Sequence, residues 1–362
     1  MMLNYKKTYL LPFKFEIPNY SLEFVKKNSF FKIYLKYVKR YVYIFLKHQN
    51  KLEIDHILDD HKSILWINQS APSIGDSLMD LSNRVLLKDR RIDLFTDKKN
   101  AHLFFDDEIF ENVYTHINDF GSKKYDLVLL DSYSTRTIKI KAKVAPLVSY
   151  TGMFGYYNGP EVNRVLFGFH RMNQLLGYKK NEIEINLSSK ASLKVSDEDI
   201  QIVRNFKLPQ NYISIAIGGE WDYRTYNKWD EVINLLIHID QNLKIVLLGS
   251  NNALKISEQL LEKIPSKNLF NCVNQFSFMQ TAEIINNSKI LICCDGGLMH
   301  AANSLNTPIL ALFARLTPAM QLTDSINSFS LYDKDDVNNI EVKNILQRYS
   351  DASNLVGNHP LS

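Results

Sequence analysis

Cysteine is scarce in this chain of 362 residues: Cys272, Cys293 and Cys294 are the only three, without a CxxC spacing, and two are adjacent inside an apolar run. That argues against a disulfide scaffold or a cysteine-based metal framework and fits a reducing cytoplasm. Neither GxGxxG nor GxxxxGK[ST] occurs, which counts against a dinucleotide dehydrogenase and a P-loop kinase. No Gly/Pro/Ser tract or short repeat interrupts the chain, so disorder, collagen and solenoids are not expected.

Acid is scarce at the N-terminus. Residues 1–50 hold ten Lys/Arg against two Asp/Glu, so the formal net charge of +4 is a property of that segment. Thirteen Phe and Tyr residues lie there too, among them Phe31, Tyr34, Tyr37 and Phe45, interleaved with Lys32, Lys36, Lys39 and Arg40. Its longest apolar stretch, Tyr41–Leu46, is far shorter than the ~20 residues that span a bilayer, and no small-residue cleavage site follows it. Two readings stay open: residues 1–50 contact the cytoplasmic face of the inner membrane, with aromatic rings at headgroup depth and lysines on anionic lipid, or they form a helical extension packed on its own domain. Nucleic acid is not expected as a partner, because no recognition motif accompanies the charge.

After residue 60, short apolar runs alternate with helical patterns, the signature of a parallel sheet covered by helices. They do so twice. The first series has strands at Ile64–Asn68, Ile92–Thr96, Val113–His116, Asp126–Asp131 and Val144–Ser149; the second at Tyr212–Ile217, Lys244–Gly249, Leu269–Val273, Ile290–Cys294 and Ile309–Phe313. The expected fold class is α/β, with two Rossmann-like domains facing a cleft. The divisions are a basic aromatic extension at 1–60, a first domain at 61–160, a connector at 161–209, a second domain at 210–325 and a tail with a helix at 326–362. Ligands in such sheets bind beyond the carboxyl ends of the strands.

Three loops there carry chemistry-bearing residues. Pro72–Asp76 joins the first strand to a helix; Asp76 is either a general base or simply the helix N-cap. Ile217–Arg224 contains Gly218 and Gly219 and leads to Lys228 and a helix burying Trp229, Val232, Ile233 and Leu236; it reads as a diphosphate loop or as a solvated basic loop. Asp295-Gly-Gly-Leu-Met-His300 follows the fourth strand of the second series. Asp295 is placed to cap its helix, and helical spacing puts His300 off the buried stripe, one turn from Gly296 and above the glycine pair, where it can reach a bound diphosphate. The alternative is a surface histidine beside an ordinary cap.

Asp295–His300, followed by Thr307-Pro-Ile-Leu-Ala-Leu-Phe313, resembles the Asp-[Ser/Thr]-Gly-x-x-His and Pro-x-x-x-Leu-Phe-Gly signature of the family 9 glycosyltransferases, the heptosyltransferases. Gly75-Asp76, Lys228-Trp229 and the helix around Asn163–Leu176 occupy matching places in order, over about Ile64 to Ser325. The resemblance implies a GT-B fold, an acceptor domain followed by a nucleotide-sugar domain, and inverting, metal-independent transfer, usually from ADP-heptose. No cofactor beyond the nucleotide-sugar donor is implied. Asp76 becomes the catalytic base; Gly218, Gly219, Arg224, Lys228, Asn251, Asp295, Gly296, Gly297 and His300 become donor-binding residues. The acceptor would be the anionic glycolipid core of lipopolysaccharide or lipooligosaccharide, placing the protein in the cytoplasm at the inner membrane. Three departures stand out: Asn251 lies where the family often has an acidic ribose contact, Ala314-Arg315-Leu316 replaces Gly-Pro-Thr, and the basic residue expected before Gly75 is missing. These keep three alternatives open: another nucleotide sugar, a nucleotide-sugar epimerase and a non-catalytic binding member.

Between Ile138 and Val144 lysines alternate with apolar residues, which predicts a strand with Lys139, Lys141 and Lys143 along one side. With Arg136 these lysines would contact an anionic acceptor; alternatively they protect a sheet edge. The paired acids Asp197/Asp199 and Asp333/Asp335 do not read as metal ligands, because Ser196–Asp199 is a helix start and Asp333 lies past the last domain.

Overall fold

The computed structural model describes residues 30–69, 71–121, 123–155, 162–323 and 328–356. The N-terminal segment before residue 30 and the end of the tail, both part of the expectations above, lie outside the described residues. The chain divides into two compact units, residues 1–194 and 195–362.

The first unit begins with helix α1 (Phe30–Leu46) and then builds β1 (Ser63–Asn68), α2 (Ile74–Asp80), β2 (Arg91–Thr96), β3 (Phe110–Tyr114), β4 (Leu127–Leu130), α3 (Thr135–Val144), β5 (Ser149–Gly152), α4 (Arg164–Leu175) and α5 (Glu182–Ser188). All five strands are parallel, in the order β3-β2-β1-β4-β5, with Ile64 of β1 level with Ile92 of β2 and Leu127 of β4. Continuous apolar strands such as Ile64–Ile67 and Leu127–Leu130 are fully buried, as a sheet covered on both faces requires. Tyr37 and Ile44 of α1 join the core formed by Leu65, Ile67, Val128 and Leu130, so this helix docks on its own unit.

The second unit holds α6 (Asp197–Asn205), β6 (Tyr212–Ala216), α7 (Trp229–Ile239), β7 (Lys244–Leu248), α8 (Leu254–Lys263), β8 (Leu269–Asn271), α9 (Phe278–Asn286), β9 (Leu291–Cys294), α10 (Gly297–Leu305), β10 (Ile309–Ala314), β11 (Leu331–Asp333) and α11 (Val342–Val356). The strands are again parallel, ordered β11-β10-β9-β6-β7-β8. Trp229, Val232, Ile233 and Leu236 of α7 pack on Ile213, Ile215, Ile245 and Leu247. Each aliphatic side chain so buried contributes about 1.5–3 kcal/mol. Met299 and Ala302 of α10, with Ile284 and Ile285 of α9, cover the opposite face of the sheet.

Three expectations change. Ile138–Val144 lies in helix α3, not a strand: Ser134 caps it by accepting from the Thr137 backbone N–H at 3.1 Å, and the buried set Thr137, Ile138 and Lys141 follows helical spacing. The lysine alternation is therefore no basic sheet edge. The fifth strand sits at Ser149–Gly152, after the Ala145-Pro146 turn, and the third starts at Phe110. The three-residue strand β11 had no sequence signal beyond Leu331-Tyr332 and owes its existence to pairing with Leu312–Ala314.

Candidate functional site

In the first sheet the strand order reverses between β1 and β4, and a crevice opens outside the carboxyl ends of the strands flanking such a reversal. The loop after β1 is held there by Asp131, which follows β4 and accepts the Gln69 backbone N–H at 2.7 Å. Lys99, from the segment after β2, donates to the Pro72 carbonyl, so a cation reaches this loop from another strand although the seven residues directly before Gly75 are uncharged. Ser73, not Asp76, caps α2: its hydroxyl accepts the Asp76 backbone N–H at 3.2 Å and donates to Asp76 Oδ2 at 2.6 Å. Asp76 is thus freed from the capping role and stands in the first turn, half-buried.

The partner of Asp76 gave no sequence signal. Arg164 opens α4 behind its Asn163 cap and donates through Nη1 to Asp76 Oδ1 at 2.9 Å, while Nε and Nη2 grip both oxygens of Asp80 at 2.6 Å each. Asp80 is buried, and burial pushes its carboxyl up to about 7 against the opposing pull of the guanidinium. One arginine therefore holds two acids of a single helix, which face it at i and i+4.

Among the lysines read as acceptor contacts, Lys141 is corrected. It is fully buried, its ammonium donating to Gln49 Oε1 and lying 5.1 Å from the Tyr150 ring centroid, and burial lowers its pKa to about 8. Helical spacing leaves Arg136, Lys139 and Lys143 on the exposed face of α3 instead. Arg136 pairs with Asp97, which follows β2, at 2.7 Å.

The second sheet reverses between β6 and β9, and the two loops leaving those strands are the glycine loop and the Asp295 loop. The glycine loop folds tightly on itself. A Cβ on Gly219 would come within 2.3 Å of Thr225 Oγ1 and 2.7 Å of the Arg224 carbonyl, and one on Gly218 within 2.8 Å of Asn252 Oδ1. Asn252, next to the exposed Asn251 in the turn after β7, donates to the Gly219 carbonyl at 2.8 Å. Arg224 reaches across to Asp295, with Nη1 3.1 Å from Oδ2, and His300 Nε2 lies 4.0 Å from Oδ1. Asp295 is buried and turned to Arg224, so it is not the helix cap; Gly296 holds that position. Gly296 brings no side chain, which leaves the first-turn N–H groups of α10 to other acceptors, and among the described residues a Cβ there would meet no atom within 4 Å. His300 is buried as well, contrary to its expected place, because α10 is enclosed on nearly every side from Met299 to Ser304.

Lys228 stands at the start of α7 and donates to the Asn338 carbonyl at 2.9 Å. Asn338 also donates to the Thr225 carbonyl and accepts the Asn227 backbone N–H, so it braces the stretch from Thr225 to Lys228. Arg315 adopts φ +66° and lays its guanidinium 3.7 Å from the Tyr223 ring centroid. Neither Asn338 nor Tyr223 was singled out from sequence, since each acts by tertiary contact alone.

Residues 156–347, more than half of the chain, match glycosyltransferase family 9 (heptosyltransferase). Lipooligosaccharide heptosyltransferase 2 of Haemophilus influenzae is 27% identical over 101 residues, a stretch that spans 27% of this chain and 28% of that relative. Among solved structures, the family 9 glycosyl transferase from Veillonella parvula covers 83% of this chain and 99% of its own, at TM-score 0.70 and 14% identity. The ADP-heptose lipopolysaccharide heptosyltransferase II of E. coli covers 80% and 98%, at TM-score 0.64 and 19% identity. At those identities the likeness is one of fold: two Rossmann-like units of the GT-B type. The family match begins beyond the Asp76 loop and includes the whole of the Arg224–Asp295–His300 constellation.

Proposed function

Because the chain belongs to glycosyltransferase family 9 (heptosyltransferase), we propose that it is an inverting, metal-independent glycosyltransferase moving heptose from ADP-heptose to an anionic lipopolysaccharide or lipooligosaccharide core acceptor. The observation that carries the reading is the open N-terminus of α10 at Gly296, set beside Arg224 and Asp295 at the reversal point of the second sheet. A helix N-terminus offers unpaired N–H groups and a partial positive charge, the requirements of a diphosphate. Arg224 would turn from Asp295 toward the diphosphate, and Lys228 would add a second cation. Asn251, which is neutral, would meet the ribose by hydrogen bonding alone.

On the acceptor side Asp76 would take the proton of the attacking hydroxyl as it displaces the nucleoside diphosphate from the opposite face of the anomeric carbon. Charge growing on the departing diphosphate would be met by the preformed backbone donors of α10 and by the cations once they have turned to the bound donor. The exposed Arg136 and Lys139 would bind acidic groups of the acceptor. The E. coli and H. influenzae relatives support the choice of heptose and of a core glycolipid.

Calorimetric titration of the purified protein with ADP, UDP, GDP and CMP in EDTA tests donor choice and metal independence together. Micromolar ADP binding, weakened in Arg224→Ala and Lys228→Ala, is the expected outcome. Tighter binding of another nucleotide discards heptose, ADP binding that needs a divalent ion discards metal independence, and the absence of any binding discards transfer.

A further inference from the structure

Helix α1 has three faces. With Tyr37 taken as the origin and 100° per residue, Tyr37 and Ile44 form the buried side, within about 20° of each other. Tyr34, Phe45, Phe31, Val42, Leu35 and Leu46 occupy the sector from about 60° to 180°, and each is exposed, from 44% for Tyr34 to 67% for Phe31. Lys39, Lys32 and Lys36, all exposed, border that sector at about 200° to 260°. The helix sequence contains no acid. Contact with the first unit's core thus fixes the helix in rotation and presents an apolar strip with a cationic margin to the outside.

We infer that this face of α1 seats the first unit on an anionic phospholipid surface. An apolar strip alone would suit a second copy of the chain or another protein. The lysine margin decides for lipid, because a bilayer boundary supplies acyl chains for the strip and headgroup phosphates for the margin in the same plane. Aromatic side chains are also at home at headgroup depth. Among the described residues no helix is long and apolar enough to cross a membrane, so α1 lies on the surface. The inference goes beyond the proposed reaction and stands without it, since it uses none of the donor or base residues.

Co-sedimentation of the full chain with phosphatidylcholine vesicles, with and without 30 mol% phosphatidylglycerol (a composition of about one anionic lipid in three), tests it. Wild type should bind the anionic vesicles and lose that binding in high salt. The double variant Phe31→Ser/Leu46→Ser should bind at least about tenfold more weakly. Lys36→Glu/Lys39→Glu should lose about fivefold for each positive charge removed. All four side chains are exposed, and circular dichroism confirms folding of both variants. Failure of wild type to bind anionic vesicles, equal binding to neutral ones, or unchanged binding in both variants overturns the inference. So does sedimentation showing a wild-type dimer that the Phe31/Leu46 variant breaks while lipid binding is absent, which assigns the face to a second copy.

Discussion

Replacing Arg164 by alanine should destabilise the first unit in a strongly pH-dependent way. Asp80, buried and pushed up to about 7, has a folded-state pKa above the ~3.9 of an unfolded aspartate. The folded state therefore holds its proton more tightly, and stability declines as pH rises between those values, by ~1.4 kcal/mol per unit. Arg164 limits that decline by pairing both oxygens at 2.6 Å. At pH 5 Asp80 is already protonated, so Arg164→Ala removes hydrogen bonds from a charged guanidinium to a neutral carboxyl and costs about 1.5–3 kcal/mol. At pH 8.5 the variant must either ionise an unpaired buried carboxyl or hold a proton against solution, and the cost rises to about 3–5 kcal/mol. Urea unfolding in a Trp221→Phe/Trp229→Phe background leaves Trp66, in β1, as the only tryptophan and reports on this unit. A loss that is equal at both pH values, or larger at pH 5, refutes the reasoning.

Asp76→Asn should lower the transfer rate by about 10²–10⁴ with ADP affinity unchanged, checked by product formation alongside calorimetry; near-normal transfer removes Asp76 as the base. Gly219→Ala should displace the Arg224 carbonyl and cost about 1–3 kcal/mol in the second unit, with weaker ADP binding, measured by thermal unfolding with and without nucleotide. Lys141→Met should stabilise the first unit by about 1 kcal/mol at pH 7. A lysine whose folded pKa lies below its unfolded value is a burden while protonated, so the gain should shrink toward pH 10, as urea titrations at the two pH values would reveal.

Much of the architecture was legible because it is written locally. Fully buried strands such as Ile64–Ile67 and Ile213–Ile215 read as short apolar runs, and Trp229, Val232, Ile233 and Leu236 mark one face of a helix without reference to any neighbour. The spacing of Ser196 to Asp199 marks a helix start, and the capping hydrogen bond is present at 3.1 Å. Where two periodicities coincided, locality failed. Ile138–Val144 alternates like a strand, yet Ser134 caps a helix there, and only the packing of Lys141 against Gln49 and Tyr150 explains a lysine facing inward. His300 misled for a related reason: its angle around α10 is as calculated, but the opposite side of that helix is buried too.

The sequence by itself determined the class, two parallel α/β units, and the loops in which chemistry is sought, because strand and helix periodicity and the position of a loop after a strand are properties of adjacent residues. Tertiary structure alone decided which charges meet. Arg164 lies 88 residues from Asp76 and 84 from Asp80, and it reaches them through the packing of α4 against α2, where Val165 and Phe169 meet Met79. Arg224 and Asp295 follow β6 and β9, distant in sequence but adjacent in the sheet order β11-β10-β9-β6-β7-β8. The order of strands is a global minimum of packing, chosen by the whole core, and no window of neighbouring residues contains it.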